Sequence, residues 1–218
     1  YRKLVTVSRF DRYYLNSIYV ATAATVGQIV TGSLAGYAFA RLDFPGRDKL
    51  LAAYVATMMV PFAVRLVPTF MILRWFNWVD TYSALIVPWL CGPYNTFLFR
   101  QYYLTIPEDL IDAAKLDGCG KWGVYQHVML PLSRSIMAAV GTITFLSMWK
   151  SFLWPLIVTN SRERMVIAVA LSRLVDEMVM DWGLLMAATS VAMVPTLIVF
   201  IFAQEQIVKS ITLTGVKG

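Results

Sequence analysis

Long stretches of this chain carry no Asp, Glu, Lys or Arg. Tyr14 to Ala40 is 27 residues without one, Thr81 to Phe99 is 19, and Trp182 to Gln204 is 23. Two further runs are each broken by a single cation: Leu50 to Leu73 by Arg65, and Ser135 to Ser161 by Lys150. A helix needs about 20 apolar residues, at about 1.5 Å each, to cross about 30 Å of hydrocarbon. The pattern predicts five spanning helices, over about 14–40, 50–74, 81–100, 133–159 and 183–204. Helix follows because backbone in lipid must satisfy its own hydrogen bonds. Met165 to Ser172 is too short to cross and reads as interfacial or re-entrant. Pro61, Pro68, Pro88 and Pro155 interrupt the predicted spans, and such breaks often occur where helices line a cavity. The fold class is all-α, a polytopic membrane protein, with residues 1–218 read as one transmembrane domain.

The connections differ. Arg41 to Lys49 holds Pro45-Gly46, a tight turn. Arg74 to Asp80 is short, with Trp75 and Trp78 suited to a membrane interface. Residues 101–131 form a long polar loop with four acids. Nine Lys/Arg lie in short segments on that loop's side and eight on the other, so charge asymmetry leaves the orientation open.

Composition agrees with the membrane reading. Of 218 residues, 58% are hydrophobic and 15% charged, with a mean hydropathy of +0.61. Soluble domains carry about 25% charged residues. A water-soluble enzyme and a disordered chain are both disfavoured. The net charge of +6 is ordinary here and weak evidence for nucleic acid. Cys91 and Cys119 form no C-x-x-C pattern, and a disulfide between them is not expected.

The loop holds the clearest local signal. Pro107 suits a helix start, Glu108 and Asp109 suit the positive end of its dipole, and Gly118 suits its left-handed end. Leu110, Ala113, Ala114 and Asp117 share a face at helical spacing, and the alanines allow close approach. On physical grounds alone this is an amphipathic surface helix between two spans. No nucleotide site is present: Gly118-Cys119-Gly120-Lys121 is followed by Trp122, and Lys115 stands where a phosphate loop needs its first Gly. There is no Ser/His/Asp or metal constellation, and the single His127 reads as a loop or interface residue.

The loop resembles the E-A-A segment of ABC importer permeases. Asp112-Ala113-Ala114 is followed after three residues by Gly118, then after nine by Val128-Met129-Leu130-Pro131. Asp for Glu and Val for Ile are mild departures. Other stretches resemble the maltose-permease-like second subunit of the carbohydrate branch. Among them are Leu15-Asn16-Ser17, Ala38-Phe39-Ala40-Arg41, Met58-Met59-Val60-Pro61, Phe152-Leu153-Trp154-Pro155, Asp181-Trp182-Gly183 and the ending Gly215-Val216-Lys217-Gly218.

The resemblance implies a multi-pass protein of the bacterial inner membrane, in contact with lipid, with six spans. Five are visible, and Tyr1 is expected to follow the missing one. It implies that the 101–131 loop is cytoplasmic and docks on an ATP-hydrolysing subunit through Glu108, Asp112, Ala113, Ala114, Asp117 and Gly118. The implied partners are a second permease, two ATP-binding cassette subunits carrying ATP and Mg, and an external substrate-binding protein. No catalytic residue, metal or cofactor is expected on this chain, and no nucleic acid.

Arg65 and Lys150 are the two cations that lie well inside the predicted spans rather than at their ends. Such residues usually face a cavity, so they are candidates for a translocation path that attracts an anionic or strongly polar saccharide. Snorkelling to headgroups is the alternative. The family resemblance implies a neutral residue after Trp149, so Lys150 is a departure. Tyr94, Asn95, Trp149 and Trp154 are further path candidates, with packing as the alternative. Gly32 and Gly36 form a small-xxx-small pattern that reads as a helix contact. An ion-coupled secondary transporter is the alternative function; it would normally keep an intramembrane carboxylate, and the predicted spans hold none. A membrane-embedded enzyme would need a polar catalytic set there.

Overall fold

The computed structural model describes the backbone of residues 9–177 and 182–214, and the side chains of 9–174 and 182–202. The ends carrying Arg2, Lys3 and Gly215–Gly218, and also Asp181, lie outside the described residues. All regular structure among the described residues is helical.

Among the described residues, two helices are long and apolar enough to cross a membrane. The first, α1 (Phe10–Arg41), has Asp11 in its first turn and Arg41 in its last, both favourable to the helix dipole. The last, α11 (Trp182–Thr214), qualifies over Trp182–Phe202 and keeps Pro195 inside. Two further candidates arise only if the bent pairs Arg47–Met59 with Phe62–Trp75 and Lys121–Leu132 with Arg134–Trp149 each count as one span.

The span expected over 50–74 is divided. Helix α2 (Arg47–Ala56) runs into a 3-10 turn (Thr57–Met59), Val60 is extended, and α3 (Phe62–Trp75) follows. The residue before a proline is disfavoured in the helical region, and Pro61 also lacks a donor. The span expected over 81–100 is likewise α4 (Tyr82–Ile86), a 3-10 turn (Val87–Trp89) and α5 (Pro93–Leu104). Gly92 is extended and Pro93 opens the new helix, where its missing N–H costs nothing. After the loop helix α6 (Glu108–Leu116) come α7 (Lys121–Leu132) and α8 (Arg134–Trp149), bent by 72° at Ser133. The span expected over 133–159 ends at Trp149, and α9 (Leu153–Val158) begins after a break. The apolar segment near 165–172 forms α10 (Ile167–Glu177).

The chain divides into two compact units. Unit 1 gathers residues up to Thr25, Phe62–Trp89 and Thr142–Glu205. One of its apolar clusters centres on Tyr13, Leu85, Trp154, Val158 and Met165, and the other on Phe10, Trp149, Ile167 and Ala188. Unit 2 gathers Val26–Pro61, Leu90–Gly141 and the C-terminal residues. Its core holds Tyr37, Phe99, Tyr103, Ile111, Tyr125 and Met129.

Candidate functional site

The loop helix α6 forms as its residues require. Pro107 is extended at its N-cap, Glu108 and Asp109 fill the first turn, and Lys115 lies in the last. Gly118 takes φ +86°, and its N–H donates to the Lys115 carbonyl at 3.0 Å. Cys119 N–H then returns to the Ala114 carbonyl at 2.9 Å, closing the C-terminus.

Only one edge of α6 enters the core of unit 2. Ile111 is buried there and Ala114 packs beside it. Ala114 therefore leaves the face predicted for it, because Ile111 three residues earlier points the same way. Leu110, Ala113 and Asp117 stay exposed, and Leu116 is 89% exposed. Trp122, just beyond, is also exposed. The Asp112 carboxylate accepts from Lys115 Nζ at 2.8 Å, and both ends are in solvent. That hydrogen bond, with the carboxylate charge, raises the Lys115 pKa.

The ends of α6 are tied to unit 2 by named side chains. Arg41 donates from Nη2 to the Tyr103 carbonyl at 2.7 Å, from Nε to the same oxygen at 3.2 Å, and to the Ile106 carbonyl. Its Nη1 pairs with Glu108 at 3.3 Å. The Tyr37 hydroxyl donates to the Lys121 carbonyl at 2.8 Å, and Ser33 and Tyr125 share a buried hydroxyl pair at 2.8 Å. Behind α6 lies a cleft of about 500 Å³, lined among others by Tyr37, Arg41, Ile111, Lys115 and Cys119.

The rest of the predicted motif lies in α7, which widens into a π turn at Tyr125–Met129. Pro131 has no N–H to return to the residue four before it, which favours the wider turn. Met129 is wholly buried there. His127 is exposed, with Nδ1 3.0 Å from the Gly123 carbonyl.

Comparison with known proteins places the chain in a family. Residues 28–213 match the family model for the binding-protein-dependent transport system inner membrane component. The chain belongs to this family. AraQ of Bacillus subtilis, an arabinooligosaccharides transport system permease protein, is 33% identical over 97% of this chain and 75% of its own length. UgpE of Agrobacterium fabrum, an sn-glycerol-3-phosphate transport system permease protein, is 35% identical over 97% of this chain and 76% of its own. A bacterial ABC transporter involved in the import of the acidic polysaccharide alginate shares the fold. Its TM-score is 0.85 at 20% identity, over 93% of this chain and 77% of that chain.

The inner membrane component is a transport permease, not an enzyme. Its predicted path residues separate by burial. Arg65, Tyr94 and Lys150 are exposed, and neither Arg65 nor Lys150 has an ion-pair partner among the described residues. Lys150 sits in the break directly after α8. Asn95, Trp149 and Trp154 instead pack inside their own units. The Asn95 amide donates to Gln28, the Trp149 indole N–H to the Ala192 carbonyl at 3.1 Å, and that of Trp154 to the Ala84 carbonyl at 2.9 Å. Each of these three side chains thus donates an N–H within the packing of its own unit.

Sequence reasoning missed a polar clasp within unit 1. Asn16 Nδ2 donates to the carbonyls of Glu163 and Met165, each at 2.9 Å, while its Oδ1 accepts from the Tyr82 hydroxyl at 2.7 Å. Ser17 Oγ accepts from the Ile167 N–H at 2.7 Å, at the start of α10. The Asp80 carboxylate accepts from the N–H groups of Asn160 and Ser161 and from the Ser161 hydroxyl, each at 3.0 Å. Burial alone would raise its pKa, but these bonds and the nearby Arg164 outweigh it and leave the carboxyl below its ordinary value. Asn77 and Asp80 both have positive φ, which their side chains tolerate better than most. The available signal was Leu15-Asn16-Ser17: two small polar residues opening a long apolar helix.

Proposed function

We propose that this permease is one of two transmembrane subunits of an ATP-driven importer for a carbohydrate or polyol phosphate, delivered by an external substrate-binding protein. The observation that carries the reading is similarity across nearly the whole chain to permeases named for arabinooligosaccharides and for sn-glycerol-3-phosphate. In this reading residues 1–218 form one transmembrane domain, multi-pass in the bacterial inner membrane. The five spans are α1, the α2–α3 pair, the interrupted segment over about 81–100, the α8–α9 stretch over about 133–159 and α11, with residues 101–131 cytoplasmic.

The exposed side of α6 is the docking face for one of two ATP-binding cassette subunits. Leu110, Ala113 and Leu116 offer an apolar surface, and Glu108, Asp112, Asp117 and Gly118 shape its edges. The chain itself holds no cofactor; ATP and Mg belong to the partner pair, which moves α6 as it closes and reopens. Access to the path then alternates between the two sides. Arg65 and Lys150 supply positive charge to that path, which suits an anionic or strongly polar sugar. Tyr94 offers an aromatic face.

An affinity-tagged chain is expected to retain two ATP-binding subunits and a second permease, and Ala113→Arg to lose the ATP-binding subunits. Uptake would be followed with arabinooligosaccharides, sn-glycerol-3-phosphate and alginate oligosaccharides. Uptake that survives loss of the ATP-binding subunits but stops when the proton gradient collapses would sink the reading in favour of a secondary transporter. Full uptake in both Arg65→Ala and Lys150→Ala would sink the role given to those cations.

A further inference from the structure

Within unit 2, the later part of α1 is fastened along α5. Gly32 and Gly36 let the helices meet: a Cβ on Gly36 would fall 2.6 Å from Phe99 Cβ and 2.9 Å from the Arg100 backbone nitrogen. Polar bonds continue the contact on both sides. Thr31 donates to the Leu90 carbonyl at 2.5 Å, Asn95 donates to Gln28, and Arg100 Nε donates to the Phe39 carbonyl at 3.3 Å. A close-packed pair joined at this many points shifts as one piece rather than bending.

Arg41 stands where this pair meets α6. It is the last residue of α1, and its side chain is only 11% exposed. The guanidinium reaches the Tyr103 carbonyl at the C-terminal end of α5, the Ile106 carbonyl in the connection, and the Glu108 carboxylate that opens α6. The carbonyls ending a helix carry its negative dipole end, so a cation there is favoured. Three helix ends thus converge on one planar, multiply donating group. A lysine ammonium is a point charge and cannot reproduce the fork.

We propose that Arg41 is the positioning residue that makes α6 and the α1–α5 pair move together. This rests on the docking role proposed above for α6. Displacement of α6 would then reach α1 and α5 through Arg41, and would be lost locally without it.

The test places spin labels at Val30 on α1 and Asp109 on α6, in a full-length chain whose Cys91 and Cys119 are replaced by Ser. Asp109 belongs neither to this tie nor to the proposed docking set. Distances are read in the membrane, before and after adding ATP and Mg, with any co-purified subunits retained. The original chain and Arg47→Gln should give one narrow distance that nucleotide leaves unchanged. Arg47 is a neighbouring cation whose side chain pairs with the exposed acids Asp43 and Asp48. Arg41→Gln should lose the narrow distance and shift with nucleotide, and Arg41→Lys should fall between.

A narrow, unchanged distance in Arg41→Gln would overturn the inference. So would equal broadening in Arg47→Gln. Where Arg41→Gln does not accumulate, Arg41→Lys decides, and a distance as narrow as the original overturns it. Absence of co-purified ATP-binding subunits from the original chain would instead sink the docking role, while the nucleotide-free distances still show whether Arg41 holds α6.

Discussion

The two units hold their connecting segments with polar centres of opposite sign. In unit 2 a cation donates: Arg41 gathers two carbonyls and a carboxylate at the ends of α5 and α6. In unit 1 an anion accepts: Asp80 gathers two backbone N–H groups and a hydroxyl from the segment after α9. Both solve one problem, because backbone groups at helix ends and in turns need partners where water is scarce. They differ in what can release them. A carboxylate accepts these bonds best when ionised, so acid weakens the clasp. Guanidinium groups do not titrate in acid. The two carbonyl contacts of Arg41 therefore do not depend on a titrating acceptor, as the Asp80 clasp does.

The comparison can be broken most forcefully at Gly36, on which the geometry of the tie depends. Gly36→Ala is expected to cost about 3 kcal/mol, because the added methyl meets backbone that cannot swing aside. Thermal melting in detergent would show it, and Gly36→Val should prevent accumulation. An unchanged melting temperature in Gly36→Ala would mean that α1 and α5 are not locked.

Next in size is Asn16, the neutral member of the clasp. Asn16→Leu should cost about 2 kcal/mol by leaving two carbonyls and the Tyr82 hydroxyl without their partner. The same melting measurement checks it, and faster amide exchange over residues 160–167 should accompany it.

Asp80 sharpens the contrast of sign. Its folded pKa lies below the ordinary carboxylate value of about 3.9. Its contribution is therefore complete above that ordinary value and is lost as pH falls through the depressed folded one. Asp80→Asn should cost about 1 kcal/mol at neutral pH and should flatten that part of the acid dependence. Arg41→Gln should leave the acid dependence in place. Melting temperature against pH for the three proteins would decide, and an Asp80→Asn profile parallel to the original would refute the clasp's anionic character.

The smallest stability effect belongs to Asp112. Its bond to Lys115 is fully in solvent, so Asp112→Asn should leave the melting temperature of the isolated chain unchanged. Any loss should appear only in co-purification of the ATP-binding subunits. A clear destabilisation of the chain alone would move Asp112 from the docking face to the fold.

Much of α6 was legible because its signals are local. Pro107, the early acids and Gly118 each act on the backbone within a turn of themselves, and the helix runs between them. The inward turn of Ala114 was not legible, since it depends on which neighbour claims Ile111. The small-residue contact at Gly32 and Gly36 could be read from spacing, but its partner α5 could not. The path candidates show the same limit. Exposed Arg65 and buried Trp154 look alike in a sequence of apolar runs, and only packing separates them.

By itself the sequence determined that this is an all-helical membrane permease, and where charge is absent, because hydropathy and motif spacing are properties of the chain. Where the spans break was half determined: the prolines were visible, but not that Val60 and Gly92 would be extended beside them. The tertiary structure alone decided that Arg41 meets Tyr103 and that Asp80 meets Ser161. Hydrogen bonds between residues 62 and 81 positions apart leave no local trace, since each side chain is ordinary until the fold brings its partner within 3 Å.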